Sequence, residues 1–211
     1  MAAFELVATS SLGSLLGVQH ALEPDHLAAV STLVTGEKGT ARAAWLGACW
    51  GFGHMLTLMA AGASLVLLRV EMPAWADAGF ELAVAALLIA FGLRAIWLSR
   101  AAAVPVADER PIALARRPLL IGAVHGLAGS GALTAMVIAA LPTTAARLTY
   151  LALFGLGSVI GMATLSGALG WPLARASTRR DVARTLSAGV GAVSTLLGLY
   201  WGYPVVTRFL A

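Results

Sequence analysis

Charge is what this sequence has least of. Only 11% of its 211 residues are Asp, Glu, Lys or Arg, while 59% are apolar; an ordinary soluble domain carries roughly 25% charged residues. A water-soluble fold does not fit that balance. A single cysteine, Cys49, excludes a disulfide framework and a cysteine-based metal knuckle. Gly-x-Ser-x-Gly, His-Glu-x-x-His and Walker A patterns are all missing, so serine hydrolysis, zincin proteolysis and ATP-driven pumping have no residue basis, and the protein is not expected to be an enzyme.

What is present is apolar sequence in long runs, with a mean hydropathy of +0.86. Runs closed by proline, glycine and charge predict an all-α membrane protein of six spans, at about 6–34, 43–68, 78–98, 119–141, 148–170 and 186–207. The N-terminal segment lacks the basic region of a cleavable signal and its apolar stretch runs past a signal's length, so it is taken as the first span. That span is too long for one straight crossing, at ~43 Å for a 1.5 Å rise per residue. With Glu23-Pro24-Asp25 in its middle, it is expected to be tilted or broken.

The halves of the chain match. At an offset of 105, Leu16-Gly17-Val18-Gln19-His20-Ala21-Leu22 falls on Ile121-Gly122-Ala123-Val124-His125-Gly126-Leu127. At 104, Gly51-Phe52-Gly53-His54 falls on Gly155-Leu156-Gly157-Ser158, and at 106 Gly92-Leu93 falls on Gly198-Leu199. An odd number of helices per half requires the second copy to enter the membrane from the opposite face, so the expected architecture is two inverted three-helix repeats. The boundaries are 1–98 for the first repeat, 99–118 for a flexible cytoplasmic connector and 119–211 for the second repeat.

The net charge of +4 is read as a topology signal and not as a nucleic-acid patch. Ten basic residues lie in the first, third and fifth loops: Lys38, Arg42, Arg100, Arg110, Arg116, Arg117, Arg175, Arg179, Arg180 and Arg184. The other face carries Arg69, Arg147 and Arg208. The positive-inside rule puts the ten in the cytoplasm and both termini outside, in the cytoplasmic (inner) membrane.

All four histidines, His20, His26, His54 and His125, fall within predicted spans, which excludes a metal sensor borne on a soluble loop. An Asp at a helix centre costs roughly 2.5 to 3.5 kcal/mol on insertion scales, so Asp25 and Glu23 need a partner or a cavity. A divalent cation offsets carboxylate charge and takes neutral imidazole as a ligand. On a straight helix Asp25 and His26 would sit about 140° and 240° round from His20 and could not converge with it. Pro24 removes the hydrogen bond to the His20 carbonyl, which is expected to re-aim the side chains and leave that carbonyl free. Helix packing alone is the plain alternative for a lone histidine; two histidines and two acids in seven residues favour a site.

His54, after Gly51-Phe52-Gly53, is expected as a ligand or a supporting group on the neighbouring span, with an interhelical hydrogen bond as its alternative. His125 stands where the repeat places a second His20, and a packing role is its equal alternative. Gly122 and Gly126 would admit a close helix, while Gly129 and Gly131 would loosen the chain around Ser130. Cys49, Met55 and Met59 are expected to pack as core.

The His-x-x-x-x-Asp-His pattern of His20, Asp25 and His26 resembles the signature of the nickel/cobalt transporter family. Gly51-Phe52-Gly53-His54 with Thr57 is similar to that family's second signature, and His125-Gly126-Leu127-Ala128-Gly129-Ser130-Gly131-Ala132-Leu133 resembles its short, urease-accessory-type branch. The resemblance implies that His20, Asp25 and His26 recognise Ni²⁺ or Co²⁺, with His54 helping. It implies a nickel permease, no cofactor beyond the transported ion, and delivery of metal to urease or hydrogenase. Typical members have eight helices and further acidic signatures, and Glu23-Pro24 stands where their commoner form has Asp and Ala.

The expected partners are a divalent metal ion and the lipid bilayer, with no nucleic acid and with a homo-oligomer left open. The expected function is metal uptake through an intramembrane site of His20, Asp25, His26, His54, His125 and Glu23. The rivals are a metal or sulfite-type exporter and an intramembrane zinc metalloenzyme with Glu23 as general base.

Overall fold

In a computed structural model, residues 2–34, 37, 39–70, 72–100, 111–127, 138, 140–176 and 180–210 are described, and among them there is no β-strand. The helices are α1 (Ala2–His20), α2 (Pro24–Val34), α3 (Thr40–Leu68), α4 (Ala74–Arg100), α5 (Pro111–His125), α6 (Thr144–Ala176) and α7 (Arg180–Leu210). Four of them, α3, α4, α6 and α7, are long and apolar enough to cross a membrane. Large apolar side chains face outward: Leu15, Leu68, Trp75, Trp97, Leu196 and Tyr200 are exposed, while His20, Asp25, His26, His54 and His125 are buried. That inversion of the soluble pattern is the arrangement lipid requires, and the protein is a multi-pass membrane protein.

The first predicted span is broken as expected. Pro24 has no N–H to give the His20 carbonyl and its ring crowds that oxygen, so α1 stops at His20. The chain then tightens: Leu22 N–H donates to Gln19 O at 2.9 Å and Glu23 N–H to His20 O at 3.0 Å. Leu27 N–H donates to Glu23 O at 2.9 Å and opens α2, with Pro24 at the first helical position. One expectation is corrected here. The His20 carbonyl is not left free, because the tight turn supplies the Glu23 amide in place of the one Pro24 lacks.

The fourth predicted span breaks as well. α5 ends at His125, where Gly126 N–H donates to Gly122 O at 2.8 Å and Leu127 N–H to Val124 O at 3.3 Å. The expected loosening around Gly129 and Gly131 lies outside the described residues. Part of the stretch 99–118 is helical: α4 continues to Arg100 and α5 begins at Pro111, so Arg116, Arg117 and Pro118 are in a helix. A helix need not stop where its apolar stretch does, because basic side chains can continue it into the headgroup layer. The same reason carries α6 and α7 past their predicted ends.

The principal packings are α3 with α6, α4 with α7, α1 with α6 and α3 with α5, and α2 rests against α7, α6 and α4. Glycines set how close they come. A Cβ on Gly17 would collide with the Phe154 carbonyl and one on Gly122 with the Trp50 carbonyl; Gly53 meets the Leu119 carbonyl and Gly157 the Ser14 carbonyl. Between α4 and α7, Gly92 faces the Gly191 carbonyl and Gly198 the Ala85 carbonyl, an antiparallel register. Ser194 Oγ donates to Leu88 O at 2.8 Å across the same interface. The buried apolar core joins Ala28, Val30 and Val34 of α2 to Trp50, Leu88 and Met162.

Candidate metal centre

The break after His20 decides what the site contains. Because α1 ends at His20 and α2 starts at Pro24, His20 and Asp25 both reach His26, in a way one straight helix forbids. α3 brings His54 to them and α5 brings His125 at its last residue. All five side chains are at most 2% exposed.

His26 is the hub. Its ring centroid lies 4.2 Å from that of His20, 4.5 Å from His125 and 5.4 Å from His54. Since an ionised carboxylate only accepts, His26 Nδ1–H donates to Asp25 Oδ1 at 3.0 Å and His125 Nε2–H donates to Asp25 Oδ2 at 2.9 Å. Asp25 thus has both oxygens engaged, and its place in the first turn of α2 adds the favourable end of the helix dipole. The hydrogen bond at Nδ1 fixes the tautomer of His26 and leaves Nε2 as a lone pair, buried and without a hydrogen bond.

On the other side, His20 Nε2 and His54 Nε2 are 3.2 Å apart. One ion at about 2.0–2.1 Å from each of two imidazole nitrogens holds them roughly 2.9 to 3.4 Å apart, depending on geometry. The spacing suits shared ligation. Ligand atoms of His20, His26 and His54 lie within 4.8 Å of one another, as do those of Asp25, His26 and His125. The two triads share His26, one all-nitrogen and one with a carboxylate. Nitrogen with a single carboxylate favours nickel, cobalt or zinc over magnesium or calcium.

Glu23 stands apart from both triads. Its Oε1 is 2.9 Å from His20 Nδ1, and its side chain is 34% exposed against 2% for His20. The approach is close enough for an ion pair with a protonated ring but makes no hydrogen bond. Cys49 is buried as a free thiol, as expected of a core residue, and is in neither triad. Ser158, the counterpart of His54, is buried and turns its hydroxyl back onto Phe154 O at 2.9 Å.

Two aromatic walls were not anticipated from the sequence. Trp50 is 1% exposed, with its ring 5.3 Å from His26 and 5.5 Å from His125. Phe154 lies 5.3 Å from His20. A signal for both existed: Trp50 is four residues before His54, hence on the same helix face, and Phe154 follows Trp50 by 104 positions.

No family model matches the sequence, and no solved structure matches the chain. Urease accessory protein UreH of Bacillus sp. (strain TB-90) is 29% identical over 210 aligned positions, which cover 94% of this chain and 92% of that one. This similarity along nearly the whole chain bears out the resemblance to the urease-accessory-type branch of the nickel/cobalt transporter family that His20 to His26 and His125 to Leu133 carry.

Proposed function

We propose that the protein is a secondary transporter that takes up a divalent transition-metal ion, nickel in the first place, across the cytoplasmic membrane. The observation that carries this reading is the pair of buried triads sharing His26, set where α1 gives way to α2. A urease accessory relative favours nickel, the metal of urease, and delivery to such an enzyme. The ion is held by His20, Asp25, His26, His54 and His125 in turn, and is the cargo and not a resident cofactor.

The architecture proposed with it is six spans in two inverted three-helix repeats, α1 to α4 and α5 to α7, with both termini outside. Reciprocal contacts support it. Gly17 against Phe154 and Gly122 against Trp50 exchange under the repeat, as do Gly53 against Leu119 and Gly157 against Ser14, and Gly92 against Gly191 and Gly198 against Ala85. α1 and α5 end 105 residues apart, at His20 and His125. An inverted repeat gives two packings of similar energy, which is what alternating access to a central site requires.

At about −100 mV, two charges moving inward gain ~4.6 kcal/mol, enough for roughly a thousandfold accumulation without ATP. The test is Ni²⁺ entry into proteoliposomes under an inside-negative potential, with Co²⁺ and Zn²⁺ as competitors, for the native protein, Asp25→Ala and His20→Ala. Saturable, potential-dependent entry lost in both variants is the expected result. Flux persisting in both would reduce the cluster to helix packing, and tight metal retention without flux would favour the metalloenzyme.

A further inference from the structure

A cavity of about 360 Å³ lies between α4, α7 and the start of α2, lined by Glu23, Glu81, Tyr200, Trp201 and Arg208 among others. α4 and α7 are antiparallel, so the N-terminal part of α4, with Glu81, lies beside the C-terminal part of α7. Arg208 is near the end of α7 and Tyr200 lies about 12 Å deeper along it. The cavity therefore extends from one end of the helix pair toward its middle, and Glu23 also lines it. From Glu23 the path continues inward: its Oε1 is 2.9 Å from His20 Nδ1, and His20 Nε2 is 3.2 Å from His54 Nε2.

We infer that this cavity is a vestibule for a hydrated divalent cation, in which Glu81 and then Glu23 gather the ion before it reaches the histidines. The inference rests on the transport reading above and adds to it a route and a residue, Glu81. Two independent observations meet here. Glu81 is a half-buried carboxylate that lines the cavity within an apolar helix and, among the described residues, has no ion pair; such a group is costly unless it faces water or a cation. His20 Nδ1, in a side chain 2% exposed, has no hydrogen bond and lies 2.9 Å from Glu23, which lines the cavity.

The volume has room for on the order of ten waters at about 30 Å³ each, enough for an ion with roughly six waters of hydration. Two carboxylates against the one guanidinium of Arg208 leave the lining net negative, and low-dielectric walls focus that charge. By the positive-inside argument this end of α4 and α7 faces outward, which makes the vestibule an entrance for uptake.

The test measures Ni²⁺ uptake at low ionic strength for the native protein, Asp25→Ala, Glu81→Gln and Arg208→Gln. Glu81→Gln is expected to raise the half-saturating concentration about tenfold with little change in maximal rate, and Arg208→Gln to lower it. Glu81→Cys in a Cys49→Ala background is expected to react with a membrane-impermeant thiol reagent from outside, more slowly when Ni²⁺ is present. Native flux lost in Asp25→Ala, with both charge variants behaving as native and the Glu81→Cys thiol unreactive, would overturn the vestibule and leave the transporter standing. No flux in the native protein would overturn both.

Discussion

His125 Nε2 lies 2.9 Å from Asp25 Oδ2, joining the last residue of α5 to the first turn of α2 across 100 positions of sequence. Asp25 holds His26 by its other oxygen at 3.0 Å, so one carboxylate aims imidazoles from two parts of the chain.

Asp25→Asn keeps the shape and removes the charge. Replacing an acceptor that orients ligating histidines typically costs 10- to 100-fold in metal affinity. A loss of that size in Ni²⁺ binding by titration calorimetry in detergent is expected, with helicity retained; unaltered affinity would mean that Asp25 orients nothing.

His125→Ala separates ligation from packing. If His125 serves the site, Ni²⁺ affinity falls at least tenfold while thermal stability drops by no more than the roughly 1–3 kcal/mol of an unsatisfied Asp25 oxygen. Loss of stability with native affinity would assign His125 to packing. Cys49→Ala is the control: the thiol is buried outside both triads, and binding within twofold of native is expected.

Proton competition gives a pH dependence with a definite sign. A metal needs the imidazole lone pair that a proton occupies, and histidine in its ordinary range protonates near pH 6.5. Ni²⁺ affinity is therefore expected to fall as pH drops from about 7.5 toward 4. Affinity unchanged over that whole range would rule out histidine ligation.

The glycine contacts predict paired stability losses. Gly17→Ala and Gly122→Ala each drive a Cβ into a backbone carbonyl, of Phe154 and Trp50 respectively, that cannot rotate away. Overpacking of this kind costs about 1–3 kcal/mol, and thermal unfolding in detergent should find the two variants similarly weakened. Gly79→Ala has open space around it and should be neutral or slightly stabilising, since alanine is the better helix former.

Much of the molecule is legible in the chain because lipid is an exacting solvent. Low charge, long apolar runs and the inadmissibility of open backbone in hydrocarbon allow only helices, and Pro24 marks the break in the first of them. Rarity of ionisable groups in such runs singles out His20, Asp25, His26 and His54 before any contact is known. Helix ends are less legible, as α5 beginning at Pro111 demonstrates, because composition reports where hydrocarbon stops and not where hydrogen bonding does.

Convergence belongs to the tertiary structure. A periodicity argument on one straight helix keeps His20, Asp25 and His26 apart; the turn at Ala21 to Glu23 brings them together, and the depth at which α3 and α5 pack brings His54 and His125 within reach. The roles of Trp50 as a wall and of Glu23 and Glu81 as cavity lining arise the same way. Local composition is enough to decide the solvent, the helical character and which groups are ionisable. Which of those groups share a site depended on interhelical distances of a few ångströms, set by where glycine lets one backbone approach another.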